Sequence, residues 1–193
     1  MRIEGSLWTV LSVVLMLFAV GGANAQSSYM GVYLDEERTT WCASGEGVYQ
    51  IDIWIYAYVE EKGILSFGYD ISLPPNLDLV SWYSNPHVLL ELCDPKFGCP
   101  PGEAGGFDEC LAGWTWIKHG VFNVLSAEPG VVEIVAHPTS GTIALEGCLG
   151  SIYYPTVISS VYVNYDASAP ECQGPVPVER STWGAIKTLY QDG

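Results

Sequence analysis

The chain is short of positive charge: Lys and Arg together number 7 against 22 Asp and Glu, for a formal net charge of −15. So acidic a protein is a poor match for nucleic-acid backbones and anionic bilayers, since both are held through cations. Histidine is scarce as well. The three present, His87, His119 and His137, stand far apart and show neither H-E-x-x-H nor H-x-H spacing, which argues against the familiar zinc motifs. There is no G-x-S-x-G elbow to seat a serine nucleophile, no P-loop and no dinucleotide fingerprint. No long apolar run recurs after residue 20, so the reading places no membrane span in the mature chain. What remains is 49% hydrophobic residues, enough for a sizeable core and too many for wholesale disorder.

The one long apolar run lies at the start. Leu7 to Val20 is almost unbroken hydrocarbon, and Gly21, Gly22 and the triplet Ala23, Asn24, Ala25 follow. A short apolar stretch ending in an A-x-A site reads as a secretory signal, cleaved after Ala25. The rival is a membrane anchor, for which the run falls short of the ~20 residues that span a bilayer. The expected location is therefore secreted or cell-surface. All six cysteines, Cys42, Cys93, Cys99, Cys110, Cys148 and Cys172, lie beyond that site. An even count in an exported chain favours three disulfides over a metal cluster, with fifteen connectivities open. The pairing carried forward is Cys93 with Cys99, Cys110 with Cys148, and Cys42 with Cys172.

Along the mature chain the dominant pattern has period two. In residues 49–59 Ile51, Ile53, Ile55, Ala57 and Val59 share one face, and Asp52, Trp54, Tyr56 and Tyr58 share the other, which predicts a strand. Further strands are expected at 64–71, 77–83, 88–92, 114–125, 131–136, 142–145 and 156–165. Residues 93–113, with three Cys, three Pro and a glycine run, read as a long irregular loop. Many short strands between turn residues, with no helical periodicity, indicate an all-β antiparallel sandwich of immunoglobulin-like or cohesin-like type. The expected layout is a signal at 1–25, the sandwich at 26–165, a Pro-rich linker at 166–180 and a short helical tail at 181–193. In the tail Trp183, Ile186 and Tyr190 share a helix face.

The segments Ile51–Val59, Gly63 to Phe67 and Tyr69 to Ile71 resemble the opening strands of cohesin-type and related carbohydrate-binding sandwiches. Val121 to Val124 and Val131 to Ile134 are similar to later paired strands of that family, so the resemblance runs from about Tyr49 to Tyr165. It implies a non-catalytic module that binds partner modules or stands in cell-surface assemblies. Six cysteines and the 93–113 loop depart from the family and put a dockerin-type partner in doubt. The stretch Glu179 to Tyr190 resembles a Thr-Trp-Gly-x-Ile-Lys segment at the C-terminus of exported bacterial proteins, which implies a sorting or attachment role. A helix that simply covers a sheet edge is the alternative.

Three candidate sites emerge from the residues. Trp54, Tyr56 and Tyr58 form an aromatic ridge suited to a sugar ring or a protein partner, unless another part of the chain covers it. Asp94, Glu103, Asp108 and Glu109 sit in one Gly/Pro-rich stretch and offer hard oxygen ligands to calcium, the one ion weighed; ordinary solvation of an acidic loop is the alternative. Carboxylate pairs such as Asp35 with Glu36 and Glu37, or Glu60 with Glu61, lie in turns rather than opposed across a cleft. The leading expectation is an exported, non-enzymatic module for adhesion, protein contact or surface assembly. A carbohydrate-binding module using the ridge comes second, and a secreted hydrolase third.

Overall fold

A computed structural model describes residues 27–60, 62–91 and 102–173. The signal segment, the Cys93–Cys99 pairing, Asp94 and the tail helix all lie outside those residues. The described chain is built of strands, with one 3-10 turn at Pro170–Gln173.

Five strands make the first sheet: β1 (Ser28–Tyr33), β3 (Tyr49–Val59), β5 (Leu77–Ser84), β8 (Thr115–Val124) and β12 (Thr156–Ser159), in the order β12-β1-β3-β8-β5. The second sheet holds β2 (Cys42–Ala43), β4 (Ile64–Ser72), β6 (Val88–Glu91), β7 (Glu103–Leu111), β9 (Gly130–Val135), β10 (Ala144–Gly147), β11 (Ile152–Tyr153) and β13 (Val161–Val163). Its main path is β11-β10-β4-β9-β13-β2, with β7 joining β4 to β6. Pairing is antiparallel except where β1 meets β12 and β13 meets β2. This is the expected sandwich.

The predicted alternation sets the core. Ile51, Ile53, Ile55, Ala57 and Val59 of β3 are all buried, and Phe122 and Val124 of β8 lie in the same cluster. From the second sheet Ile64, Phe67, Tyr69, Val132, Ile134, Leu145, Val161 and Val163 complete it. β8 carries one irregularity with functional weight. Between Ile55 and Tyr56 of β3 the register slips, so that Ile55 faces Lys118 and Tyr56 faces Trp116. A bulge of this kind turns two successive side chains to the same face. Ile117 and Lys118 both point inward, each with no exposed surface.

Two expectations need correction. Residues 103–111 are not loop but β7, paired on both sides with β4 and β6. Its glycines hid it, because they weaken the strand signal while serving close packing. A Cβ at Gly105 would stand 2.7 Å from both the Leu90 carbonyl oxygen and the Phe67 ring. Residues 166–173, assigned by composition to an extended linker, are folded onto the domain instead. Asp166 accepts hydrogen bonds from the Ser168 N–H and hydroxyl, and Cys172 is bonded to Cys42 with their Cα atoms 5.4 Å apart. The second described disulfide joins Cys110 to Cys148, Cα atoms 5.7 Å apart. Both pairings are the expected ones.

Candidate functional site

The outward side chains of β3 do not form a lone ridge; they are the middle of an aromatic layer. Tyr58 and Trp114 pack at 5.4 Å between ring centroids, and Tyr29 from β1 stacks on both. Tyr56 meets Tyr33 edge-on and lies beside Trp54. Trp54 in turn meets Trp116 edge-on at 5.5 Å and stacks on His119 at 4.0 Å, planes 10° apart. Tyr83 of β5 stacks on the far side of this row against His119 at 5.7 Å. Tyr83 is 53% exposed. The imidazole is fixed by Asp52, whose Oδ1 lies 2.7 Å from Nε2.

The three predicted ridge residues differ in access. Trp54 and Tyr58 are half-buried, whereas Tyr56 is only 3% exposed. Residues 34–41 account for that. The Tyr56 hydroxyl donates to the Glu36 carbonyl, and the Arg38 guanidinium sits 5.1 Å from the Tyr56 and Trp114 rings alike. Arg38 adopts a left-handed backbone (φ 62°), a conformation that costs a non-glycine residue roughly 1 kcal/mol or more. Two cation–π contacts help to offset it. Burial, together with the charge of Glu36, pushes the Tyr56 hydroxyl pKa up to about 12.

Of the four proposed calcium ligands, Glu103 stands apart. It is buried between the sheets, where its Oε1 accepts from the Trp82 indole N–H and its Oε2 from the Tyr69 hydroxyl, both at 2.9 Å. Lys118 Nζ lies 3.9 Å from the same Oε2. That ammonium also donates to the Ser84 hydroxyl at 2.8 Å and touches Glu91 Oε1, and Ser84 donates to Glu91 Oε2 at 2.7 Å. Burial pushes the Glu103 carboxyl up to about 7, against the pull of Lys118. Burial, with the neighbouring Glu103 carboxylate, drives the Tyr69 phenol well above its ordinary value of 10. Asp108 and Glu109 are exposed and face His87 Nδ1, at 3.1 and 3.3 Å.

Sequence reasoning did not single out Lys118, Glu91, Arg38 or the stacking role of His119. A signal for the first was present. Counting from Val124 at every second residue gives Phe122, Gly120 and Lys118, so the alternation already turned that lysine toward the core.

A cleft of about 290 Å³ beside β4 and β10 gathers His137, Thr139, Ser140 and Glu146. There His137 Nδ1 accepts the Thr139 N–H, and Glu146 accepts the Ser66 hydroxyl. That arrangement ties up a base and an acid separately and readies no nucleophile.

The sandwich is similar to solved cohesins. The type II cohesin domain from the cellulosome of Acetivibrio cellulolyticus matches with a TM-score of 0.54 at 13% identity, over 72% of this chain and 96% of that one. A chain of a type I cohesin–dockerin complex from Clostridium thermocellum gives 0.51 at 10%, over 71% and 99%. The non-cellulosomal cohesin from the hyperthermophilic archaeon Archaeoglobus fulgidus gives 0.50 at 11%, over 74% and 94%. The fold is cohesin-like. No protein-family model matches the sequence, and no curated protein does. On this cohesin-like frame the aromatic layer lies on the outer face of the five-stranded sheet, and the Lys118 cluster lies between the sheets. Among the described residues no helix is long and apolar enough to cross a membrane.

Proposed function

We propose that this chain is an exported, non-catalytic module that makes protein–protein contacts in adhesion or surface assembly. The observation that carries the reading is a cohesin-like sandwich with aromatic rings spread across the outer face of one sheet, from Tyr29 to Tyr83. Tyr and Trp are the residues that dominate contact energetics, because they supply large rigid area together with a polar edge. Chains of this fold occur in cohesin–dockerin complexes, and the same kind of module-to-module contact suits this protein. Two disulfides among the described residues support an oxidising compartment, in keeping with a cleaved signal at 1–25.

The test is binding of the mature chain, immobilised, to the extracellular protein fraction of its source, with the bound partner then purified. Trp54→Ala combined with Tyr83→Ala should weaken that purified partner's affinity at least about tenfold, as loss of interface anchors does. A partner held equally well by the double variant removes the aromatic face as the contact surface.

One observation favours a second reading, a carbohydrate-binding module. Trp54, His119 and Tyr83 make a near-parallel row of rings, and Asp52, Gln50 and Asn123 supply polar groups beside it. Glycan-array binding abolished by Trp54→Ala would move the assignment from protein to sugar.

A further inference from the structure

We propose that Lys118 and Glu91 react to form an intramolecular amide bond that bolts the two sheets together. Lys118 stands on β8 of the first sheet and Glu91 on β6 of the second. Their reacting groups are already in contact, Nζ against Oε1. The lysine side chain has no exposed surface, and that of Glu91 is 25% exposed. Neither described disulfide does this work, for Cys42 and Cys110 both belong to strands of the second sheet.

The chemistry follows from burial. The step begins with transfer of the proton from Nζ to the touching Glu91 carboxylate, which leaves an amine and a carboxylic acid at a place where the lysine side chain is fully buried and charge is disfavoured. The neutral pair, an amine and a carboxylic acid held in contact, is also the reactive pair. The Nζ lone pair attacks Glu91 Cδ and a C–N bond forms. One amine proton leaves the nitrogen, the C–OH bond of the tetrahedral intermediate breaks, and the hydroxyl departs with a proton as water. Amine plus acid gives secondary amide plus water, and no oxidant or activating group is consumed.

The neighbours are placed to serve that step. Ser84 accepts from Nζ and donates to Glu91 Oε2, so it holds nucleophile and electrophile together and polarises the carboxyl; it is a positioning residue. Glu103 Oε2, 3.9 Å from Nζ, takes the proton released by the nitrogen and returns one to the leaving hydroxyl, ending unchanged. Its raised pKa near 7 suits a group that must both accept and donate. Tyr69 and Trp82 fix the position of its two oxygens. Pre-organised contact of this kind replaces the activation that amide formation needs in solution.

The experiment is intact mass spectrometry of the purified, non-reduced mature protein, followed by proteolysis and sequencing of linked peptides. The expected result is a chain one water lighter than its disulfide-bonded mass, with the peptide holding Glu91 joined to the peptide holding Lys118. A chain of full mass after prolonged incubation, or a water lost elsewhere, overturns the proposal. Glu103→Gln keeps a side chain of the same shape and cannot relay protons. It should slow the mass change by about a hundredfold or more while the circular dichroism stays native. Completion at the wild-type rate in that variant overturns the assigned relay.

Discussion

A lysine and two carboxyl groups share the space between the sheets, and their energetics are set by what each loses in leaving water. Replacing Lys118 by Met leaves Glu91, Ser84 and Glu103 without their partner between the sheets and removes the proposed amide with it. Removing one member of a buried pair costs roughly 3–5 kcal/mol, to be read from the urea midpoint at neutral pH. Glu103 adds a pH dependence whose sign can be worked out. Its folded pKa, about 7, lies above the ordinary 4.5, so the folded chain binds this proton more tightly than the unfolded chain. The stabilisation is complete below the unfolded value and is lost as pH rises from 4.5 through about 7. Unfolding midpoints measured across that window should fall with rising pH in the native protein, and the slope should flatten in Glu103→Gln. At the same scale Trp82→Phe removes an indole donor from a buried carboxylate and should cost roughly 1–3 kcal/mol.

Among the elements, β3 was legible because isoleucine and aromatic residues alternate over its whole length, and its inner face is buried as read. β7 was not legible. Its glycines and acids resemble loop composition, and only the close approach of Leu90 and Phe67 to Gly105 explains them. Gly105→Val should therefore drive β6 and β7 apart and cost roughly 1–3 kcal/mol as an overpacked site, measured by thermal unfolding. The aromatic layer was half legible. Trp54, Tyr56 and Tyr58 could be placed on one face from their spacing, but Tyr29, Trp114, Tyr83 and His119 arrive from other strands, and register between distant strands is not written in local pattern. Nor does the sequence show that the turn at 34–41 folds over Tyr56. Arg38→Ala should cost roughly 1 kcal/mol through its two ring contacts, measured by thermal unfolding.

For the molecule as a whole, the two described disulfides differ in what they close. Cys110 and Cys148 are 38 residues apart and Cys42 and Cys172 are 130 apart. On chain entropy alone the first stabilises by about 4 kcal/mol and the second by about 5. Paired Ser substitutions, compared by denaturant unfolding, should rank in that order. The long bridge has a mechanical consequence if the module is pulled by its ends. Tension arriving from the N-terminal side runs through β1 and the 34–41 turn, crosses the sulfur bridge at Cys42 and passes on from Cys172. Everything between those two cysteines is shunted out of the force path, so under stretching only the first strand can be torn away while the rest of the sandwich hangs slack beside the line of pull.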